Sequence, residues 1–318
     1  MLSRTADSLY WLARYVERAD FLARIIKATQ RLATLPMSYS GTGTEWESAL
    51  ESSGAIAGFR STRGKAEEAS VVDYLAFASD NPSSIRNCIR YARTNARAVR
   101  TALTAEMWDA INGAWIDVSR YEPSAQGPSR YDREEISRFC ELVKKTSLDY
   151  DGSVERTMLR NDAYWFSRLA LFVERADNTA RILDVKYHVL LPEEEVVGGS
   201  VDYFQWTAIL RAVSSLTAYN WVYREGIKPW LIAELLLLRQ EMPRSLISCY
   251  DNISYFLDTI ASAYGRKGAS QIKAHDVLAR LKSLTISDVF KFGLHEFITA
   301  FIEDNDRLGE AIAQQYLQ

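Results

Sequence analysis

The chain's best candidates for chemistry are the acids of a motif that occurs twice. The letters VERAD stand at residues 16–20 and again at residues 173–177. In each copy an arginine follows the glutamate directly, and another arginine follows the aspartate four residues later. Buried carboxylates can have raised pKa values that suit proton transfer, so a cleft lined by these acids could be catalytic or bind a ligand. The candidate residues are Glu17, Asp20, Glu174 and Asp177.

The same acids also suit a structural ion network. Acid-first pairs spaced four residues apart, such as Asp20 with Arg24, stabilise a helix. Adjacent helical residues point about 100° apart, so Glu17 cannot pair well with Arg18 and should contact the other copy instead. A network that fixes how the two copies dock is therefore the alternative to a cleft, and the sequence leaves both open. Its members would be Glu17, Arg18, Arg24, Glu174, Arg175 and Arg181.

A second charged pattern is a row of five arginines, spaced four, three, four and three residues apart. This spacing places them on one stripe of a helix. Like charges in a row repel one another, so acidic partners are expected. Either Asp251 and Asp258 of the matching helix pair with the row, or it binds a carboxylate, a phosphate or an acidic protein surface. The row consists of Arg86, Arg90, Arg93, Arg97 and Arg100.

The composition argues against several other kinds of chemistry. Among 318 residues there are 38 Lys plus Arg and 41 Asp plus Glu, for a net charge of -3, whereas nucleic-acid binders are usually basic. The three Cys and three His are scattered without metal-binding spacing, and no nucleotide-binding loop occurs. We therefore expect no metal, no cofactor and no nucleic-acid partner. The most apolar run, residues 231–238, is too short to span a membrane, and the N-terminus lacks a signal peptide, so we expect a cytoplasmic protein.

The VERAD segments belong to a longer internal repeat. Residues 9–25 and 166–182 are identical at ten of seventeen positions. A second match downstream joins a proline, a serine and a cysteine of each copy: Pro82, Ser84 and Cys88 with Pro243, Ser245 and Cys249. Two matches in the same order indicate a duplication. We expect a first helical repeat at 1–155 and a second at 156–318, related by a pseudo-twofold axis and packed as one globular unit.

The pattern of apolar residues predicts an all-α fold, an internally duplicated helical bundle. Only 15 Gly and 7 Pro interrupt the chain, and no stretch alternates with the period of a strand. Each VERAD helix has two buried-type faces, so we expect both helices to be central. Segment 36–64 is rich in glycine and is expected to be irregular. Helices are predicted at 5–32, 66–79, 82–104, 105–118, 132–149, 160–190, 202–222, 228–241, 243–264, 270–283 and 286–316.

Four separated motifs together resemble the Alpha-E family. They are MLSRTADSLYWLARYVERAD at the start, NPSSIRNCIRYARTNARAVR with a following MWDAIN, the second VERADNTARI, and LLRQEMPRSL. They stand in the family's order and cover nearly the whole chain. The family is described as all-helical with a Glu-Arg motif, which is carried here by Glu17, Arg18, Glu174 and Arg175.

The resemblance implies an accessory role. Genes of the family tend to stand beside circularly permuted ATP-grasp ligases, transglutaminase-like peptidases and, in some bacteria, a proteasome-like hydrolase. It therefore implies a bacterial scaffold for a peptide-ligation or peptide-modification system, with an ATP-grasp-type ligase and a transglutaminase-like peptidase as partners. No catalytic residues carry over from the family. The alternative is an enzyme, or a binder of an amino acid or peptide, that uses the VERAD carboxylates.

Overall fold

The computed structural model describes residues 1–34, 45–122, 131–188 and 200–318. Within these ranges the chain forms fifteen α-helices and no β-strand, which confirms the all-α prediction. In chain order the helices are α1 (Ser3–Leu32), α2 (Glu45–Ser52), α3 (Ile56–Thr62), α4 (Glu68–Ala76), α5 (Ile85–Ala98), α6 (Ala105–Val118), α7 (Arg133–Thr157), α8 (Asp162–His188), α9 (Ser200–Ala212), α10 (Leu216–Tyr223), α11 (Pro229–Leu237), α12 (Leu246–Tyr264), α13 (Ala269–Ser283), α14 (Ile286–Phe292) and α15 (Leu294–Ile312). A 3₁₀ turn, Arg100–Ala102, follows α5, and a π-helical turn, Ala313–Leu317, follows α15.

Segment 36–64 is mostly helical where the structure describes it, so the expectation of irregular chain was wrong for residues 45–52 and 56–62. The described part contains α2 and α3, and residues 36–44 lie outside the described ranges. Trp46, Ala49 and Leu50 are buried at the three-to-four residue spacing of a helix face. Gly54 has a φ of +67° just after α2, a conformation that glycine adopts without strain. The glycine therefore ends a helix rather than preventing one.

Two serines set where α5 and α12 begin. Ser84 Oγ accepts a hydrogen bond from the backbone N–H of Asn87 at 3.3 Å, and Ser245 Oγ accepts one from Ser248 at 3.1 Å. Both serines are N-caps that satisfy a free N–H of the first helical turn. The helices consequently begin three residues after the prolines at which the sequence predicted them to start.

Two predicted helices are each divided in the structure. The predicted helix 202–222 is split into α9 and α10 by Ser214, whose φ is +57°, and the predicted helix 286–316 is split into α14 and α15 by Gly293, whose φ is +107°. A residue in this region cannot continue a right-handed helix. Apolar spacing alone does not reveal such a break, because buried residues continue on both sides of it.

The long helices α1 and α8 form the central pair that the sequence predicted. They pack against each other, and each is covered by further helices. Helix α1 packs against α5, α7 and α9, and α8 packs against α12, α15 and α2. On the outside, α6 packs against α5 and α7, while α13 packs against α12 and α15. Both VERAD motifs consequently lie at the buried contact between α1 and α8.

The three cysteines, Cys88, Cys140 and Cys249, are buried and unpaired, as expected for reduced thiols. Burial raises the pKa of each thiol to about 12, so none is poised as a nucleophile near neutral pH. Among the helices that the structure describes, none has the length and apolar character needed to cross a membrane.

Candidate functional site

The two central helices exchange ion pairs through the VERAD motifs. Arg18 donates to Glu174 through Nε at 2.6 Å and through Nη2 at 3.1 Å. In return Arg175 donates to Glu17 through Nε at 3.2 Å and through Nη2 at 3.1 Å. Each pair uses two parallel N–H donors, which fixes the orientation of the guanidinium as well as adding energy. These are the reciprocal contacts that the sequence suggested.

One further arginine reaches each glutamate, and sequence reasoning missed both. Arg14 Nε donates to Glu174 Oε2 at 2.6 Å. Arg244 donates through Nη1 to Glu17 at 2.9 Å and through Nη2 to Asp20 at 3.2 Å. Arg244 lies in the fourth family motif, which could have marked it as a candidate. Nothing in the sequence linked it to a glutamate 227 residues away.

Each motif aspartate pairs with the arginine four residues later, as the sequence predicted. Asp20 accepts from Arg24 Nε, and Asp177 accepts from Arg181 Nε, both at 2.6 Å. Arg24 also donates through Nη1 to the carbonyl of Ala212 at the end of α9, at 2.8 Å.

We name the two groups of side chains after their glutamates. The Glu17 cluster consists of Glu17, Asp20, Arg24, Arg175 and Arg244. The Glu174 cluster consists of Glu174, Asp177, Arg14, Arg18 and Arg181.

The arginines keep both glutamates ionised. Glu17 and Glu174 are each 1% exposed. Burial by itself would raise the pKa of Glu17, but the charges of Arg175 and Arg244 outweigh it and lower the pKa to about 2. Burial would likewise raise the pKa of Glu174, but the charges of Arg18 and Arg14 outweigh it and lower the pKa to about 2. A carboxylate with such a pKa is a poor proton donor or acceptor near neutral pH.

A cavity of about 220 Å³ opens beside the Glu174 cluster. It lies where the start of α5 and the end of α2 approach α1 and α8. Its walls include charged, small and apolar side chains, among them Arg18, Glu174, Asp177, Arg181, Gly54 and Ser83. Of the four candidate acids, Glu174 and Asp177 line this cavity, whereas Glu17 and Asp20 are bonded to Arg244.

The arginine row does not pair with the acids of α12, so the first of the two alternatives for the row was wrong. Asp251 pairs with Lys282 at 2.7 Å, and Asp258 contacts His275 at 3.0 Å. The reason is the packing: α5 lies against α1 and α6, while α12 lies against α8 and α13. Matching helices of the two copies therefore have different neighbours instead of each other.

Alternate arginines of the row lie along α6. The guanidinium of Arg86 stands 5.7 Å from the ring of Trp115, and that of Arg100 stands 5.1 Å from the ring of Trp108. Between them Arg93 Nε donates to Asn112 Oδ1 at 2.9 Å. Three of the five are solvent-exposed, namely Arg90, Arg97 and Arg100. Within the described residues no carboxylate forms an ion pair with any of the five.

The described residues contain no group of three or more His, Cys, Asp or Glu side chains arranged to hold a metal ion. His275 and His295 each contact one aspartate, Asp258 at 3.0 Å and Asp184 at 2.7 Å.

Comparison with known proteins gives one family. No curated protein and no solved structure matches the chain. A family model described as a predicted alpha-helical domain with a conserved ER motif matches residues 1–317. The Glu-Arg pairs of the two VERAD motifs fit that description. Because the match covers nearly the whole chain, the protein belongs to the Alpha-E family.

Proposed function

We propose that the protein is a non-catalytic accessory protein that docks an acidic surface of an ATP-grasp-type ligase. It would do so through the arginine row, which runs along α5 and ends in the 3₁₀ turn after it. The observation that carries the proposal is a row of five arginines without a carboxylate partner among the described residues. Contacts with α6 account for Arg86, Arg93 and Arg100. No carboxylate among the described residues offsets the repulsion within the row, so a use outside the fold accounts for the exposed Arg90 and Arg97. Guanidinium groups bind carboxylates through paired donors, which suits an acidic protein surface.

The ionisation of the motif glutamates supports a structural role for the Glu-Arg motif. Glu17 and Glu174 each accept three hydrogen bonds from arginines, and their pKa values lie near 2. This arrangement favours a network that locks α1 to α8 over a pair of carboxylates that exchange protons. Turnover of an amino acid or peptide by the purified chain alone would overturn this part of the proposal and favour the enzyme alternative.

We further propose that the chain is an internal duplication, with halves near 1–155 and 156–318 related by a pseudo-twofold axis. The packing supports it: α5 covers α1 as α12 covers α8, and α2 packs on α8 as α9 packs on α1. The reciprocal pairs Arg18–Glu174 and Arg175–Glu17 support it as well. An axis between α1 and α8 would relate all of these contacts.

The biological setting follows from the family resemblance. The partners proposed are an ATP-grasp-type ligase and a transglutaminase-like peptidase, in the cytoplasm of a bacterium, within a peptide-ligation or peptide-modification system. The exposed arginines are the surface through which the ligase would be recognised.

The docking proposal is tested with Arg90→Glu combined with Arg97→Glu. Both side chains are exposed, so the fold should survive. In a pull-down with the ATP-grasp protein encoded beside the gene, we expect the double variant to bind at least about tenfold more weakly, as charge reversal at two contacts predicts. Wild-type binding should also weaken between about 0.1 M and about 1 M salt, where the Debye length falls from about 10 Å to about 3 Å.

A charge-matched control separates the row from net charge. Arg120→Glu with Arg138→Glu changes the net charge equally at side chains that are 73% and 61% exposed. This control should bind like the wild type. Equal binding by the α5 double variant, with an unchanged circular dichroism spectrum, would contradict docking through the row.

A further inference from the structure

Arg244 closes the Glu17 cluster. Its Nη1 donates to Glu17 and its Nη2 donates to Asp20, so one guanidinium bridges both acids of the first VERAD motif. Arg244 stands directly before Ser245, the N-cap of α12. A side chain from the start of a covering helix thus fills the space beside this pair of carboxylates.

Ser83 stands at the matching place beside the Glu174 cluster. It directly precedes Ser84, the N-cap of α5, and α5 covers α1 as α12 covers α8. A serine side chain is much shorter than that of arginine, and Ser83, Glu174 and Asp177 all line the cavity. The cavity therefore occupies the position that a guanidinium fills in the other cluster.

Asp177 accepts fewer hydrogen bonds than Asp20, its counterpart in the first VERAD motif. Oδ2 of Asp20 accepts from Arg24 and from Arg244, whereas Oδ2 of Asp177 accepts from Arg181 alone within the described residues. Oδ1 of each aspartate is buried and has no partner in the same part of the chain.

Glu174 also has acceptor capacity left. It accepts three hydrogen bonds, from Arg14 and Arg18, whereas a carboxylate offers about four lone-pair sites. Together with Asp177 it can therefore accept a bridging donor.

Adding one positive charge to the Glu174 cluster would give it the same net charge as the Glu17 cluster. The Glu174 cluster has three arginines and two acids, and Asp306 is a third acid that interacts with Asp177. The Glu17 cluster also has three arginines and two acids. Asp151 also interacts with Arg175 of the Glu17 cluster, but its charge is offset by its own ion pair with Arg168. The Glu17 cluster therefore keeps one excess positive charge.

The volume limits the size of the occupant. The cavity, at about 220 Å³, is smaller than the roughly 300–1,000 Å³ of pockets for drug-sized ligands, which suits one side-chain-sized group. Phe21 and Leu22 also line the cavity and give a methylene chain an apolar wall. The side chains of Arg18 and Arg181 are about a quarter exposed, so the cavity is reached from solvent.

We propose that this cavity is a binding site for a guanidinium group, held by Asp177 and Glu174 as Arg244 is held by Asp20 and Glu17. The guanidinium belongs to an arginine, either in a peptide or as the free amino acid. The site is independent of the arginine row on α5, so binding by the purified chain is tested without the ligase.

The test is isothermal titration calorimetry with three probes: N-acetyl-L-arginine amide for a peptide arginine, free L-arginine, and inorganic phosphate. We expect one equivalent of an arginine probe to bind, and the better of the two identifies the source. Asp177→Asn preserves shape and should weaken binding by about tenfold or more, the effect of losing one charge-assisted hydrogen bond. Ser83→Arg should fill the cavity, abolish binding and raise the melting temperature by about 2 °C or more.

Arg244→Ser is the reverse experiment. It places a serine beside the Glu17 cluster, where Ser83 stands beside the Glu174 cluster. The melting temperature of the variant should fall, and N-acetyl-L-arginine amide should restore part of the loss. A second binding equivalent should appear in the same variant.

Three results would overturn the proposal. The first is an Arg244→Ser variant that binds an arginine probe while the wild type binds none. The second is wild-type binding that Asp177→Asn leaves unchanged. The third is preferential binding of phosphate, lost on Arg181→Gln, which would make the cavity an anion site.

Discussion

Individual arginines decide what the motif glutamates can do. A glutamate as buried as Glu17 or Glu174 would have a raised pKa if it stood alone. Here the charges of two arginines at each one overcome burial and bring the pKa to about 2. The sequence showed which residue types meet at the α1–α8 contact. It could not show the number of arginines at each glutamate, because Arg14 and Arg244 arrive through tertiary packing.

Removing one motif glutamate should strongly destabilise the fold. Glu17→Ala leaves the buried side chains of Arg175 and Arg244 without their carboxylate, and we expect a loss of about 3–5 kcal/mol in the free energy of unfolding. Urea unfolding followed by circular dichroism measures it. The control Glu134→Ala removes a glutamate that is 79% exposed and should cost about 1 kcal/mol or less. Equal losses in the two variants would contradict a structural role for Glu17.

The same glutamates make stability depend on acid pH. Their folded pKa values, about 2, lie below the ordinary value of 4.5. The unfolded chain therefore takes up protons first as the pH falls, and the stabilisation present above about pH 4.5 is lost towards pH 2. Melting temperatures across this window should fall less steeply for Glu174→Gln than for the wild type. Parallel curves would show that Glu174 does not contribute to the acid dependence.

At the scale of elements, apolar spacing predicted the helices but not their breaks. Helix 5–32 was predicted well because its buried residues recur every three or four positions. The break at Ser214 could not be predicted, since serine rarely adopts a positive φ. The predicted start of α5 was wrong because Pro82 suggested the first helical turn, whereas Ser84, two residues later, is the N-cap. Capping and positive φ depend on one or two residues, so periodicity does not detect them.

Replacing glycine by alanine should therefore lower stability at a helix break and raise it inside a helix. Gly293 has a φ of +107° between α14 and α15, and a Cβ there would clash with the side chain of Glu296, so Gly293→Ala should cost about 1–3 kcal/mol. Gly113 lies inside α6 with open space where a Cβ would be, and Gly113→Ala should gain about 0.5–1 kcal/mol. Thermal unfolding of the two variants beside the wild type measures both effects. A gain at Gly293 would mean that the break is not held by the glycine's conformation.

At the scale of the whole molecule, the contacts cross between the two proposed halves. Helix α2 covers α8 and α9 covers α1, so each central helix is buried partly by the other half. The sequence predicted that the halves pack together. One of its two alternatives, that α5 pairs with α12, was wrong, because these matching helices pack against different neighbours. The predicted boundary at 155/156 also falls inside α7, which ends at Thr157.

This crossing predicts that neither half folds alone. The natural division lies between α7 and α8, so the fragments to express are 1–159 and 160–318. Each would expose the face of its central helix that the other half covers, and apolar burial is the main source of stability. We expect the full chain to unfold in one calorimetric transition and each fragment to show none, with a transition regained when the fragments are mixed. Two separate transitions in the full chain, or a sharp one in either fragment, would show that the halves are independent domains and that the ion clusters merely join them.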